Sequence, residues 1–422
     1  MQVFKFGGAS VKDAEGVRNL LTIVKRYSSE ELLIVISAMG KTTNALENIA
    51  TSYYRREEHT SELFEALKNQ HFLIIQELFG EAAAPVIDEV SNAFIEVEWM
   101  LEDEPQDDFD FIYDQIVSVG ELVSTKIVSI YLNQAGIKNR WIDARSFIQT
   151  DNTYREAKID WEKTCPRIET ELSPILKHEL IITQGFIGNT SENFTTTLGR
   201  EGSDFSAAIF AHCLNAENVT VWKDVPGILN ADPKIFKDTI KIEELSYADA
   251  MEMTYFGATV IHPKTIKPLQ NKDIPLLVKS FLDAESKGTI IKQGDVDVKV
   301  PVVIVKSNQT LLSLSCKDHS FISEEHLSFL FSVFSKHQVK INVMQLSAIS
   351  FSVCFDFDEQ KFDKLKSDIQ LSYHYKYNQD LQLLTIRHAD EESIKRHVQP
   401  ERLILEQRSR HTAQFVLQRH TI

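Results

Sequence analysis

The stretch TLGREGSD, residues 197–204, places two glycines and charges of both signs directly before the apolar run FSAAIF, residues 205–210. Gly199 and Gly202 permit unusual backbone dihedrals and close approach of a ligand. Ser203 or Asp204 can cap a helix that begins here. Free amide groups at a helix N-terminus favour an anion. The stretch therefore predicts a turn that opens a helix beside an anionic ligand, although an ordinary loop-to-helix junction also fits it.

Short apolar segments on both sides of this turn predict buried strands. They lack strict alternation, as strands covered on both faces do, and longer helix-compatible segments separate them. The predicted strands are 2–6, 32–37, 138–142, 180–186, 219–222 and 274–279. This order predicts an α/β fold with an open, mostly parallel sheet sandwiched by helices. Residues 52–110 read as acidic helices, which predicts a helical insertion.

The pattern changes after Gly288-Thr289, and residues 291–422 predict an α+β region. Its first half reads strand, helix, strand, strand, with strands at 302–305, 310–315, 340–344 and 350–357 and a helix at 323–337. A weaker succession follows at 381–387, 391–397, 403–407 and 414–418. Two βαββ-like units in tandem, the second divergent, indicate a regulatory module, although the similarity is too weak to establish a repeat.

Length, charge and cysteine content limit the class of protein. A chain of 422 residues exceeds one compact core. The net charge of −16 argues against a nucleic-acid-binding face. We expect no signal peptide, no membrane span and a cytoplasmic location. The four cysteines form no CxxC pair, so neither a zinc site nor a disulfide framework is predicted.

Several loops at predicted strand ends carry glycines, hydroxyls or charges. KFGGAS (5–10) follows the first strand, and ligands bind at the carboxyl ends of strands in open α/β sheets. SAMGKTTN (37–44) contains GKT, but Val35 stands where a P-loop requires its first glycine. Together these loops fit ATP-dependent phosphoryl transfer to a small acid, which needs positioning and charge neutralisation. No second histidine accompanies His262 at helical spacing, so no protein metal site is predicted.

Six ordered motifs resemble those of aspartate kinases, members of the amino-acid kinase superfamily. They are KFGGAS (5–10), SAMGKTTN (37–44), GE (120–121), TLGREGSDFSAA (197–208), WKDVPGILNADPK (222–234) and YFGATVIHP (255–263). The resemblance implies a catalytic domain at residues 1–290, with its helical insertion at about 52–110, and tandem ACT-like regulatory domains at 291–422. It also implies transfer of a phosphoryl group from ATP to L-aspartate, giving 4-phospho-L-aspartate for lysine, threonine and methionine biosynthesis. Mg²⁺ would be held through the nucleotide.

The resemblance also implies roles for individual residues. Lys5 and Asp204 are the expected catalytic pair: Lys5 stabilises the transferred phosphoryl group, and Asp204 orients that lysine, because the attacking carboxylate is already ionised. Arg200 matches the contact to the substrate α-carboxylate, and Glu121 the contact to its amino group. Further substrate contacts are expected at Ser37, Thr43, Thr197 and Ser203. The expected nucleotide contacts are Lys5, Gly7, Gly8, Lys223, Asp224, Leu229, Lys234, Thr259 and Val260.

Some positions depart from the family pattern. Ala9 replaces a threonine, Lys234 a common arginine and Thr259 a common lysine. In the first ACT-like unit, Glu325-His326-Leu327 and Ile341-Asn342 replace Gly-Phe-Leu and Val-Asp of the effector pocket. We therefore expect weakened, altered or absent feedback by an amino acid, and a homodimer paired through these units.

Two alternatives remain open at this point. One is another member of the superfamily, acting on acetylglutamate, glutamate or a nucleotide. The other is a non-catalytic amino-acid sensor. The presence of Lys5, Glu121, Arg200 and Asp204 together favours the kinase.

Overall fold

The computed structural model describes residues 1–258, 261–298 and 300–419. The chain divides into two compact units. The first consists of Met1–Ile228, Glu243–Met251 and Val260–Val296, and the second of Leu229–Ile242, Glu252–Thr259 and Asp297–Ile422.

An eight-stranded sheet organises the first unit and confirms the predicted fold class. The strands are β1 (Gln2–Phe6), β2 (Leu32–Ile36), β3 (Asn139–Trp141), β4 (Leu180–Gln184), β7 (Asn218–Lys223), β8 (Glu244–Ser246), β9 (Leu276–Ser280) and β10 (Thr289–Lys292). Their order is β3-β4-β2-β1-β7-β9-β10-β8. The strands from β3 to β9 in this order pair in parallel, whereas β10 is antiparallel to β9. A separate two-stranded sheet pairs β5 (Ile187–Asn189) with β6 (Thr195–Thr197).

Burial explains why the central strands were recognisable in the sequence. All five residues of β2 are buried. A strand covered by helices on both faces needs no polar side, so it reads as a continuous apolar run.

Helices cover this sheet and occupy most of residues 52–110. Those that begin before residue 297 are α1 (Ala14–Arg26), α2 (Thr42–Tyr54), α3 (Thr60–Phe79), α4 (Ala83–Ser91), α5 (Ile95–Glu102), α6 (Phe109–Val117), α7 (Val119–Gln134), α8 (Trp161–Leu176), α9 (Gly202–Leu214), α10 (Tyr247–Tyr255) and α11 (Pro263–Gln270). Buried side chains of α2 to α7 share one hydrophobic core with α1, β1 and β2.

The expectation that no segment approaches a membrane span was wrong on length. Residues Phe109–Gln134 are long and apolar enough to cross a membrane, but 78% of their apolar window is buried inside the protein. This stretch comprises α6 and α7 of the first unit, and such burial is typical of core helices.

The second unit contains a six-stranded antiparallel sheet. Its strands are β11 (Val302–Cys316), β12 (Ile341–Leu346), β13 (Phe351–Asp356), β14 (Tyr373–Arg387), β15 (Leu403–Arg408) and β16 (Thr412–Gln418), in the order β12-β13-β11-β14-β16-β15. The helices here are α12 (Glu324–Lys336), α13 (Glu359–Ile369) and α14 (Glu391–His397). The two strands predicted at 302–305 and 310–315 are one strand, β11, whose register against β14 shifts between Lys306 and Gln309 and again between Gln309 and Leu311.

Two cysteines of the first unit are paired, although the cysteine pattern predicted no disulfide framework. Cys165 of α8 and Cys213 of α9 form a disulfide across 48 residues of sequence. Cys316 and Cys354 are free and buried.

Candidate active site

A cavity of about 1040 Å³ opens in the first unit at the carboxyl ends of β1, β2 and β7. Open parallel sheets bind ligands at this edge. The cavity brings together eleven of the predicted site residues: Lys5, Gly7, Gly8, Ser37, Thr43, Glu121, Arg200, Ser203, Asp204, Lys223 and Asp224. Residues separated by about 220 positions in the sequence therefore line the same cavity.

A buried ion pair stands at the centre of this cavity. Lys5 Nζ, near the end of β1, lies 2.7 Å from Asp204 Oδ1 in the first turn of α9. Lys223 Nζ, from the end of β7, lies 3.9 Å from Asp204 Oδ2. Burial alone would raise the pKa of Asp204, but these two cations hold it below its ordinary value. Asp204 is therefore an anion that fixes Lys5, and it is a poor base.

The turn before α9 places these groups through its backbone. Gly199 has φ +76° and Glu201 has φ +54°, so the chain bends twice into the left-handed region before the helix begins at Gly202. Glu201 occupies the N-cap position without a side-chain capping bond, which corrects the prediction that Ser203 or Asp204 is the cap. Both side chains instead lie inside the first helical turn and line the cavity.

Close packing explains two of the glycines around the site. A Cβ on Gly202 would lie 2.6 Å from Cδ2 of Phe186, and a Cβ on Gly8 would lie 2.7 Å from the carbonyl oxygen of Ala38. The KFGGAS loop also accepts a hydrogen bond at the Gly8 carbonyl from the Gly40 amide, at 3.0 Å. These contacts bring backbone amides to the cavity wall, as phosphate binding requires.

Glu121 lies in the first turn of α7 with 2% of its surface exposed. Its Oε1 accepts a hydrogen bond from the Ala38 amide at 3.3 Å. Its Oε2 is buried and has no hydrogen-bond partner among the described residues. Burial raises the pKa of Glu121 to about 8. A cationic group that entered the cavity would supply the missing partner.

Arg200 is exposed, while Ser37, directly after β2, and Thr43, in the first turn of α2, are half-buried. Within the described chain no carboxylate forms an ion pair with the Arg200 guanidinium. A planar cation in this state is suited to a carboxylate ligand, because its parallel donors match the two oxygens.

Five predicted contacts are not part of this cavity. Thr197 is fully buried and its hydroxyl donates to Asp114 Oδ1 at 2.7 Å. Leu229 and Lys234 belong to the second unit. Thr259 and Val260 lie outside the described residues. The nucleotide contacts expected at these last four positions stay predictions.

Residues 153–156 also line the cavity, and they were not predicted from the sequence. The Arg155 guanidinium packs over the Tyr113 ring, 4.4 Å from its centroid. No motif marks these residues, and the contacts that place them come from distant helices. Phe186 and Trp222 also line the cavity.

Two lysines and a helix N-terminus give the cavity groups that suit a polyphosphate. Lys5 and Lys223 supply cations, and the N-terminus of α9 supplies amides and a favourable dipole. In the described ranges no group of three His, Cys, Asp or Glu side chains is arranged to hold a metal ion.

Comparison with known proteins agrees with this geometry. Residues 1–280 match the amino acid kinase family. Over 355 residues the chain is 31% identical to the lysine-sensitive aspartokinase 3 of Escherichia coli, covering 84% of this chain and 78% of that protein. It is 32% identical to the chloroplastic bifunctional aspartokinase/homoserine dehydrogenase 2 of Arabidopsis thaliana, but it spans only 33% of that longer protein.

Solved structures extend the match to nearly the whole chain. Aspartokinase III of E. coli in complex with lysine and aspartate superposes with a TM-score of 0.82 at 27% identity, covering 99% of this chain and 96% of that one. The same enzyme in complex with aspartate and ADP matches equally well. An aspartate kinase from Clostridium acetobutylicum shares the fold, with a TM-score of 0.80 at 20% identity. The chain therefore belongs to the amino acid kinase family and, within it, to the aspartokinases.

Proposed function

We propose that the cavity of the first unit is where this aspartate kinase transfers the γ-phosphoryl group of ATP to the β-carboxylate of L-aspartate. An oxygen of the carboxylate forms a bond to the γ-phosphorus, the bond from that phosphorus to the β,γ-bridging oxygen breaks, and ADP leaves. The carboxylate is ionised at neutral pH, so no proton has to be removed from it. The observation that carries the proposal is the Lys5–Asp204 pair in one cavity with the unpartnered oxygen of Glu121.

Each charged residue has a separate task in this proposal. Lys5 neutralises charge on the phosphoryl group in transfer, and Asp204 holds its ammonium in place. Glu121 accepts the α-ammonium of aspartate through its free oxygen. Arg200 binds the α-carboxylate, with Ser37, Thr43 and Ser203 as polar contacts. Thr197 does not line the cavity, and its hydroxyl donates to Asp114 instead of to the substrate.

The nucleotide is proposed to enter along Gly7, Gly8, Lys223 and Asp224. Leu229, Lys234, Thr259 and Val260 are its further proposed contacts. Mg²⁺ bound to the phosphates would neutralise charge beside Lys5. Ala9 lies on the wall of the cavity, and it lacks the hydroxyl that threonine would add near the phosphates.

We propose that residues 291–422 are regulatory and that their response to lysine or threonine is weakened, altered or absent. Asn342 already has partners: its Oδ1 accepts from Lys306 Nζ at 3.0 Å, and its Nδ2 donates to Gln309 Oε1 at 2.8 Å. His326 accepts at Nδ1 from the Ser323 amide in the capping box of α12. Titration of lysine and threonine against kinase activity tests this, and strong inhibition by micromolar lysine would contradict it.

A homodimer is proposed from apolar side chains that the second unit leaves exposed. Phe329 and Phe331 of α12, and Met344 and Leu346 of the edge strand β12, are all exposed. An exposed apolar patch beside an open strand edge favours pairing with a second copy. Light scattering that shows a monomer at micromolar concentration would contradict the proposal.

We further propose a cytoplasmic enzyme at the first step of lysine, threonine and methionine synthesis.

Turnover decides between this function and its alternatives. A hydroxamate or ADP-release assay is run with L-aspartate, glutamate, acetylglutamate and a nucleoside monophosphate as acceptors. We expect activity with L-aspartate and its loss in Lys5→Ala, whereas Lys25→Ala, which removes an exposed lysine of α1, retains it. Binding of aspartate without turnover would instead favour a non-catalytic sensor.

A further inference from the structure

We propose that Asp114 is a positioning residue that holds two segments of the aspartate site, residues 153–156 and 199–200, in their working places. Asp114 lies on α6 and is fully buried, and it is not among the residues that line the cavity. The inference rests on the proposed aspartate kinase activity, and it adds a residue that no motif of the sequence marked.

The Asp114 carboxylate joins three parts of the first unit. Its Oδ2 accepts hydrogen bonds from the backbone amides of Arg155, at 2.9 Å, and of Thr197, at 2.8 Å. Its Oδ1 accepts the Thr197 hydroxyl at 2.7 Å. One side chain of α6 therefore ties the loop at Arg155 to the end of β6.

The next residue on the same helix strengthens this attachment. The Gln115 side-chain amide donates to the Thr195 carbonyl at 2.8 Å and accepts from the Thr195 amide at 3.2 Å. Successive side chains of α6 thus occupy backbone groups at both ends of the three-residue strand β6. A strand this short has few hydrogen bonds of its own to fix its position.

The attachment continues into the cavity wall. Thr197 precedes Gly199 by two residues, and the carbonyl of Thr197 accepts the Ala157 amide at 3.0 Å. A Cβ on Gly199 would lie 3.1 Å from Cγ of Glu156 and 3.2 Å from the Arg155 carbonyl oxygen, so the two segments touch there. Loss of Asp114 would therefore release both segments together. Lys5 and Gly8, which are proposed to contact the nucleotide, lie on other elements and should keep their positions.

The three donors define which substitutions keep the arrangement. Two are backbone amides that can only donate, and both point at Oδ2. An asparagine can place its carbonyl oxygen there and turn its amide group to the Thr197 hydroxyl, which then accepts. An alanine leaves three buried donors without an acceptor. A buried donor without a partner costs more free energy than replacing one hydrogen bond by another, as asparagine does.

The test compares Asp114→Ala, Asp114→Asn and a matched control, Asp108→Asn. Asp108 is the exposed N-cap residue of α6 and makes no side-chain capping bond. In Asp114→Ala we expect the KM for aspartate to rise about tenfold or more, with the KM for ATP nearly unchanged and kcat reduced less than the KM is raised. Asp114→Asn should recover most of the wild-type KM, and Asp108→Asn should match wild type throughout.

Each outcome decides the inference. An unchanged KM for aspartate in a folded Asp114→Ala protein overturns it, as does an equal rise of both KM values that Asp114→Asn does not rescue. Should Asp114→Ala fail to fold, Thr197→Val removes one of the three hydrogen bonds, from the Thr197 hydroxyl to Asp114 Oδ1, and should raise the KM for aspartate by a smaller factor; an unchanged KM there overturns the inference. A wild-type enzyme that does not phosphorylate aspartate refutes the proposed function instead. Calorimetric binding of aspartate to wild type and Asp114→Asn, compared with Asp114→Ala, then decides the positioning role by itself.

Discussion

Glu121 offers the sharpest test of how the cavity recognises its substrate, through the variant Glu121→Gln. The substitution keeps the shape of the side chain and an acceptor oxygen, but it removes the charge. Because Glu121 Oε1 already takes the Ala38 amide and Oε2 has no partner in the described chain, Oε2 is the atom that would meet the substrate ammonium.

The magnitude follows from the protonation of Glu121 in the free enzyme. Burial raises its pKa to about 8, so at pH 7 only about one molecule in ten is ionised. Loss of the carboxylate charge should weaken its pairing with a buried ammonium by about 2 kcal/mol, which corresponds to about thirtyfold in affinity. At pH 7 the wild type gives up about 1.4 kcal/mol of this to lose its proton, and the net advantage falls to about threefold.

The assay is the KM for aspartate of wild type and Glu121→Gln from pH 6.5 to 8.5. The wild-type value should fall as pH rises towards 8 and then level off, while the value for the variant stays flat. The ratio of the two should therefore grow from about threefold at pH 7 to about thirtyfold above pH 8. A ratio that does not change with pH would refute the reasoning, because Glu121 would then not titrate on binding.

Stability gives an independent readout of the same group. The folded-state pKa of Glu121 lies above the unfolded value of 4.5, so the folded protein binds this proton more tightly. Its contribution to stability is complete below pH 4.5 and is lost as pH rises through 8, a change of about 5 kcal/mol in the free energy of unfolding. Glutamine has no proton to lose. The variant should therefore become more stable relative to wild type between pH 5 and pH 8 in urea denaturation, and a constant difference would contradict the raised pKa.

Three further predictions follow from particular contacts. Asp204→Asn should lower kcat about a hundredfold with little change in the KM for aspartate, because Lys5 loses the partner 2.7 Å away; steady-state kinetics check this, and an unchanged kcat refutes it. Gly185→Ala should destabilise the protein by about 1–3 kcal/mol in urea denaturation, because its Cβ would lie 2.4 Å from the Ser203 Cβ, and it should also lower activity by shifting the start of α9. Cys165→Ser removes the disulfide to Cys213 and should lower the free energy of unfolding by about 2–4 kcal/mol. In the variant, stability should be the same in oxidising and reducing buffers. An effect of reductant that persists in the variant would contradict the disulfide.

The elements that the sequence predicted well are those whose burial is uniform. Strands β1, β2 and β4 are buried along almost their whole length, so composition alone marked them. Helix α13 was missed because only Phe362, Leu365 and Ile369 face its core among many charged residues. Strands β5 and β6 were missed because three residues carry too little pattern to separate a strand from a loop.

The residues of the site divide in the same way. Sequence motifs contain Lys5, Glu121, Arg200 and Asp204, so these residues could be recognised from the sequence alone. Arg155 and Asp114 are set by contacts across about 40 and 80 residues, from α6 to a loop and to β6, and no local pattern announces them. The Cys165–Cys213 disulfide was missed for the same reason, since only the packing of α8 on α9 brings the two sulfurs together. The N-cap of α9 was predicted wrongly because Ser203 and Asp204, good capping residues by propensity, lie within the first turn of the helix and line the cavity.

Two buried carboxylates in one cavity with opposite pKa shifts identify the substrate better than either does alone. Asp204 lies between Lys5 and Lys223 and stays ionised, so its charge is already matched. Glu121 Oε1 accepts one backbone amide, while Oε2 has no hydrogen-bond partner in the described chain, so a ligand ammonium could pair with Oε2. An acetylated amino acid or a nucleotide has no ammonium group and would leave Glu121 buried beside it without a partner. A free amino acid brings that group, and Lys5 and Arg200 then remain for its two carboxylates. We infer that the cavity selects for a dicarboxylic amino acid with a free amine, with the amine directed to α7 and the carboxylate that receives the phosphoryl group directed to β1.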